Sequence, residues 1–234
     1  MEATPIETED PKVILRRVGN VLTVVGLADI AWMIYVVSSG HRYSSSFNIF
    51  AVIAGVLLRR GSLRTVRVVR VFAAFMFAAF AGLLVALPII FPLDLIQTYL
   101  RITPASQLAG WGTFFLVVLA LLWWVHQSLT ATPVEMAIQN AKLGRPRLWH
   151  RPESGFVIGV GLVALLSIIL PLSNRSESAR QAIERARAQV GADHRYFVSS
   201  LATSWSSGSG THVRATVLAY TDSSIESVEI EWRE

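Results

Sequence analysis

The chain has 234 residues, of which 53% are apolar and 16% charged, with mean hydropathy +0.48 and net charge +5. Soluble domains carry about 25% charged residues, so an ordinary soluble domain is excluded, and the apolar content excludes a disordered chain. The lack of cysteine excludes disulfides, iron–sulfur clusters, zinc–cysteine sites, thiolate nucleophiles and covalent haem attachment.

Residues 1–17 open with MEATPIETEDP, which is polar and holds two prolines, and are predicted to form a disordered leader. The first apolar run, 18–37, holds 20 residues and one charge, Asp29. It exceeds the roughly 7–15 residues of a signal h-region, and its leader is acidic, so an uncleaved membrane helix is expected. Runs at 68–91, 108–129 and 155–172 also reach the length of about 17–25 residues that a crossing requires. Residues 43–58 make a shorter run of 16 that ends in Arg59 and Arg60. Such a helix spans only about 24 Å. It either crosses with snorkelling arginines and local thinning, or lies re-entrant or interfacial.

Charge placement favours crossing. With five crossings and a cytoplasmic N-terminus, 12 basic residues fall inside, while the short outer loops hold only Arg42 and Arg101. That is a strong positive-inside bias. It also accounts for the net charge without nucleic acid, because the last stretch of chain is nearly neutral.

Pro92 and Pro104 bracket Asp94–Ile102, whose spacing suits an amphipathic helix on the outer membrane face or a plain hydrophobic loop. In the inner loop Thr132, Pro133 and Glu135 form an N-cap, a first-position proline and a capping-box glutamate. Val134, Ile138 and Ala141 share a face, and Gly144 is the expected stop. The following GRPRLWHRP is basic and aromatic, a composition that meets lipid headgroups.

After Pro171 the composition changes. Ser176 or Ser178 is expected to cap a helix over Ala179–Val190, which Gly191 ends. Three strands are predicted at Tyr196–Trp205, Thr211–Tyr220 and Glu226–Trp232, with turns at SSGSG and TDSS. The predicted fold is a membrane all-α bundle of five transmembrane helices over 18–172, followed by an extracytoplasmic α+β domain over 173–234. That domain is a helix on a three-stranded antiparallel sheet.

A membrane helix, a short helix, YFVSS, a serine–glycine turn and GTHVRATVLAYTDSSIESVEIEW together resemble the extracytoplasmic domain of the cytochrome oxidase assembly factor family. The resemblance covers residues 171–234. It implies a role in holding assembly intermediates rather than in catalysis. Residues 1–170 resemble no family.

Candidate chemistry is sparse. Asp29 is costly in an apolar helix and is either a proton or ion site or a structural hydrogen-bonding group paired through Asn48 or a serine. His126 follows Trp123 and Trp124 and is expected at headgroup level, solvated. Gly155 and Gly159 form G-x-x-x-G, and Ala74, Ala78 and Gly82 repeat the interval, which lets helix backbones approach closely. The serines of YSSSFNIF cap the second helix or line a vestibule. No Walker, G-x-S-x-G or H-E-x-x-H motif is present. Asp193, His194 and His212 match no metal-ligand spacing. No cofactor is expected.

The sequence therefore predicts a non-enzymatic, multi-pass protein of the bacterial inner membrane, with membrane lipid and other membrane proteins as partners. It is expected to be an assembly or accessory subunit that binds through its C-terminal domain. The alternatives are a small transporter or channel centred on Asp29 and, behind it, a lipid enzyme using Asp94 with Arg101.

Overall fold

The computed structural model describes residues 10–40, 47–141, 153–206 and 210–233, with the backbone alone at 47, 48, 205, 206, 210 and 211. The N-terminal leader through residue 9, the serines at 44–46, the GRPRLWHRP strip and the middle of the SSGSG turn lie outside the described residues. So does the side chain of Asn48. The described chain forms α1 (Pro11–Ser38), α2 (Phe47–Arg59), α3 (Leu63–Ile90), α4 (Leu93–Ile102), α5 (Ala105–Thr130), α6 (Thr132–Asn140), α7 (Ser154–Ser173) and α8 (Glu177–Val190). Strands β1 (Arg195–Ser206), β2 (Gly210–Tyr220) and β3 (Ile225–Arg233) follow.

Four helices, α1, α3, α5 and α7, are long and apolar enough to cross a membrane. This is compatible with a multi-pass membrane protein. Among the described residues the count by length is four, because α2 has 13 residues and reaches only about 20 Å.

Contacts divide the chain into one unit of Met1–Ala81 with Val117–Val160 and another of Gly82–Leu116 with Gly161–Glu234. In the first unit, the Asp10 carboxylate accepts from the Lys12 amide at 2.9 Å, and Pro11 opens α1 where no amide proton is needed. A buried cluster joins Ile14, Leu15 and Val18 of α1, Leu58 of α2, Val66 and Val69 of α3, Val125 and Leu129 of α5 and Val134 of α6. Two glycine seams let helices approach. A Cβ added at Gly19 would lie 2.6 Å from the Gly55 carbonyl oxygen, so α1 and α2 touch backbone to backbone there. A Cβ at Gly155 would fall against the Val71 carbonyl and 2.8 Å from Ala74 Cβ. One at Gly159 would lie 2.7 Å from the Phe75 carbonyl and 2.8 Å from Ala78 Cβ.

In the second unit, Gly82 faces Val163 of α7, whose Cγ2 would lie 3.1 Å from an added Cβ. The sheet runs β1-β2-β3, antiparallel throughout. Val213, Ala215 and Val217 pair with Trp232, Ile230 and Val228, so one alternating face of each strand enters the core. β1 lacks clean alternation. A bulge at Ser199 supplies the reason: the register steps from Val198↔Val217 to Ser200↔Thr216, which returns both Val198 and Leu201 to the core face. Ser176 Oγ accepts from the Ala179 amide at 3.2 Å, and Gly191 ends α8 at φ 113°. Ala179, Ala182 and Ala186 are fully buried, and their small side chains let α8 sit close on the sheet.

Candidate functional site

Buried polar groups of the first unit gather around Arg70 of α3. Its side chain is 6% exposed, and its Nη1 donates to Glu135 Oε1 of α6 at 2.6 Å. A guanidinium withdrawn into an apolar helix needs a carboxylate to offset its desolvation. This pairing corrects the capping-box expectation for Glu135. Ala131 holds the cap position with no side-chain cap bond, and Thr132 lies inside the helix. Arg70 Nε is buried and has no hydrogen-bond partner among the described residues.

His126 of α5 joins the same group. Its Nδ1 lies 3.3 Å from the Arg70 carbonyl oxygen, which can only accept, so the ring donates there. The Phe156 ring meets it edge-on with centroids 4.9 Å apart, and the Trp123 ring lies tilted with centroids 6.2 Å away. His126 is therefore buried rather than solvated at headgroup level, because α7 covers it with Phe156. Asp29 is half-buried on α1 and is not among the partners of His126. The cluster ties α3, α5 and α6 together. It presents a neutralised ion pair and an engaged imidazole, an arrangement suited to fixing helices.

In the second unit, α4 docks on the sheet. Thr98 Oγ1 donates to the Thr221 carbonyl at 3.0 Å. Arg195, at the start of β1, lies between two carboxylates, with Nη1 3.0 Å from Asp94 Oδ2 and Nη2 3.8 Å from Asp222 Oδ1. Asp94 thus pairs across the fold. Its partner is a guanidinium 101 residues further on. Phe91 and Phe197 rings pack with centroids 5.5 Å apart. A cavity of about 200 Å³ is lined by Asp94, Gln97, Thr98, Arg101, Arg195 and Asp222. Leu95 and Thr98 are the buried residues of α4, while Leu93, Tyr99, Leu100 and Ile102 are exposed. An amphipathic helix was legible in the sequence; the sheet beneath its buried face was not.

Tyr220 borders this joint and is buried. Burial pushes its hydroxyl pKa up, the Asp94 carboxylate adds to the rise, and Arg195 opposes it. A raised folded-state pKa means the neutral phenol is the form the fold favours. Its contribution is complete below the ordinary value near 10 and is lost as pH rises through the raised value. An absorbance titration of the full chain is expected to show a tyrosine ionising above the ordinary value near 10. Tyr220→Phe should remove that late step and flatten the alkaline loss of thermal stability. A titration curve that Tyr220→Phe leaves unchanged on its alkaline side would refute this.

No group of three or more histidines or carboxylates able to hold a metal ion exists among the described residues. Comparison of the chain with protein-family models, curated proteins and solved structures finds no match.

Proposed function

We propose that the chain is a non-enzymatic, multi-pass protein of the bacterial inner membrane that holds its C-terminal α+β domain out to a partner protein. The observation that carries this is the docking of α4 on the sheet through Asp94, Arg195 and Asp222, with Thr98 bonded to Thr221. A domain braced in this way is a held module rather than a free tail. A sheet of about 40 residues with one helix is marginal alone, and the brace offsets that weakness. The exposed Leu93 and Leu100, opposite the buried Leu95 and Thr98, suit α4 to rest on the lipid surface with its other face under the sheet. The resemblance of residues 171–234 to the assembly factor domain makes a membrane complex under assembly the fitting partner.

Orientation is part of the same proposal. The first turns of α1 and α3 share a buried cluster with the last turns of α2 and α5. Arg16, Arg59 and Arg60 line one groove. The chain that leaves along α1 must therefore return by α2, which supports five passages with the arginine-rich end in the cytoplasm. On this reading the N-terminus is cytoplasmic and the sheet extracytoplasmic.

Purification of the full chain from its native membrane in mild detergent is expected to recover a second membrane protein in stoichiometric amount. Recovery of the chain alone, monodisperse, overturns the partner reading. A reporter enzyme active only outside the cytoplasm, fused after Glu234, is expected to be active. A well-expressed but silent fusion overturns the orientation.

A further inference from the structure

The first turns of α1 and the last turn of α2 enclose a groove of about 460 Å³ lined by Arg16, Asn20, Val56, Arg59 and Arg60. Ligand sites commonly measure about 300–1,000 Å³. Among the described residues, three guanidiniums, one amide and one valine line this one, and no carboxylate does. Its walls are held at fixed spacing. Gly19 and Gly55 bring the two backbones together, and a Cβ at Gly19 would lie 2.8 Å from Arg59 Cγ, so the Arg59 stem crosses α1 at the glycine. The buried Leu15 and Leu58 lock the same turns from the core side. Arg16 lies just ahead of the apolar run of α1, and Arg59 closes that of α2. The groove therefore opens where hydrocarbon gives way to headgroups.

We propose that this groove is a phosphate-binding site, filled by the headgroup of an anionic phospholipid or by a soluble phosphate ester. Guanidinium forks match phosphate oxygens in pairs, and the charge assistance roughly doubles the strength of each hydrogen bond. The amide of Asn20 adds a neutral donor, and Val56 offers an apolar wall to the glycerol side of a lipid. Binding would offset the mutual repulsion of three cations packed at one helix junction. The site depends on α1 lying in a membrane and is independent of any partner of the C-terminal domain.

The test uses the full chain, delipidated in a zwitterionic detergent and supplied with phosphatidylglycerol, phosphatidylcholine or inorganic phosphate. Retained lipid is counted by native mass spectrometry, and the melting temperature is followed alongside. The variant carries Arg16→Gln, Arg59→Gln and Arg60→Gln. A charge-matched control carries Arg175→Gln, Arg180→Gln and Arg233→Gln. Wild type and control are expected to retain phosphatidylglycerol over phosphatidylcholine and to gain stability from it. The groove variant, folded as judged by its own melting curve, is expected to lose about tenfold in that preference. Stabilisation by inorganic phosphate without lipid preference, lost in the variant, keeps the phosphate site and assigns it to a soluble ester. Equal retention of both lipids with no phosphate effect overturns the proposal. So does a groove variant that binds like the control.

Discussion

Glu135→Ala is expected to lower the stability of the helical unit by about 3 kcal/mol. That is the low end of the range for breaking a buried pair by removing one partner. The loss of the carboxylate would strand Arg70, whose side chain is 6% exposed and whose Nε already lacks a partner among the described residues. The low end applies because Glu135 is 42% exposed, so the stranded guanidinium can reach toward water along its own stem. The double variant Arg70→Leu with Glu135→Leu should recover most of the loss, since apolar replacement of both partners removes the desolvation cost. A double-mutant cycle on thermal unfolding in detergent measures this directly. If the single and double variants melt alike, the ion pair does not join α3 to α6.

Gly155→Leu should be the most damaging substitution in the long helices. A Cβ alone already falls against the Val71 carbonyl and Ala74, and neither backbone nor a methyl on a packed helix can swing aside. Overpacking of a fitted interior costs about 1–3 kcal/mol, and a leucine facing backbone belongs at or above the top of that range. Gly161→Leu is the matched control in the same helix, because nothing lies within 4 Å of a Cβ built there. Gly155→Leu is expected to reduce the monodisperse yield in detergent several-fold, while Gly161→Leu leaves it unchanged. Equal behaviour of the two variants would sink the account of the α3–α7 seam.

Both predictions rest on features that were differently visible in the sequence. The spacing of Gly155 and Gly159 and of Ala74, Ala78 and Gly82 marks small-residue faces, but spacing cannot say which helix meets which. Gly19 and Gly55 gave no repeat at all. Gly55 is the single glycine of α2 and Gly19 shares α1 with Gly26, and only the mutual approach of Gly19 and Gly55 gives them meaning. The capping-box pattern at Thr132 and Glu135 is a local rule, and a charged partner arriving from α3 overrode it. His126 is covered rather than solvated for a related reason. Two tryptophans beside it mark an interfacial belt, yet the ring of Phe156, from a helix much later in the chain, covers it.

The C-terminal strands show the same division. β2 and β3 alternate strictly, so their buried residues were readable from a period of two. β1 does not alternate, because the bulge at Ser199 inserts one residue into its count. Ser176 and Gly191 bound α8 as their own backbone chemistry requires.

The amino-acid sequence by itself determined the long apolar helices, the ends of α8, all three strands and the crowding of arginines into a few loops. Each of these depends on hydrophobic period, backbone preference or desolvation, and all three act on neighbouring residues. Tertiary structure alone decided that Arg70 is neutralised by Glu135, that Asp94 answers Arg195 and that Arg16, Arg59 and Arg60 share one groove. Those are meetings between residues tens of positions apart, and the free energy that selects them comes from burial and charge compensation in the packed chain.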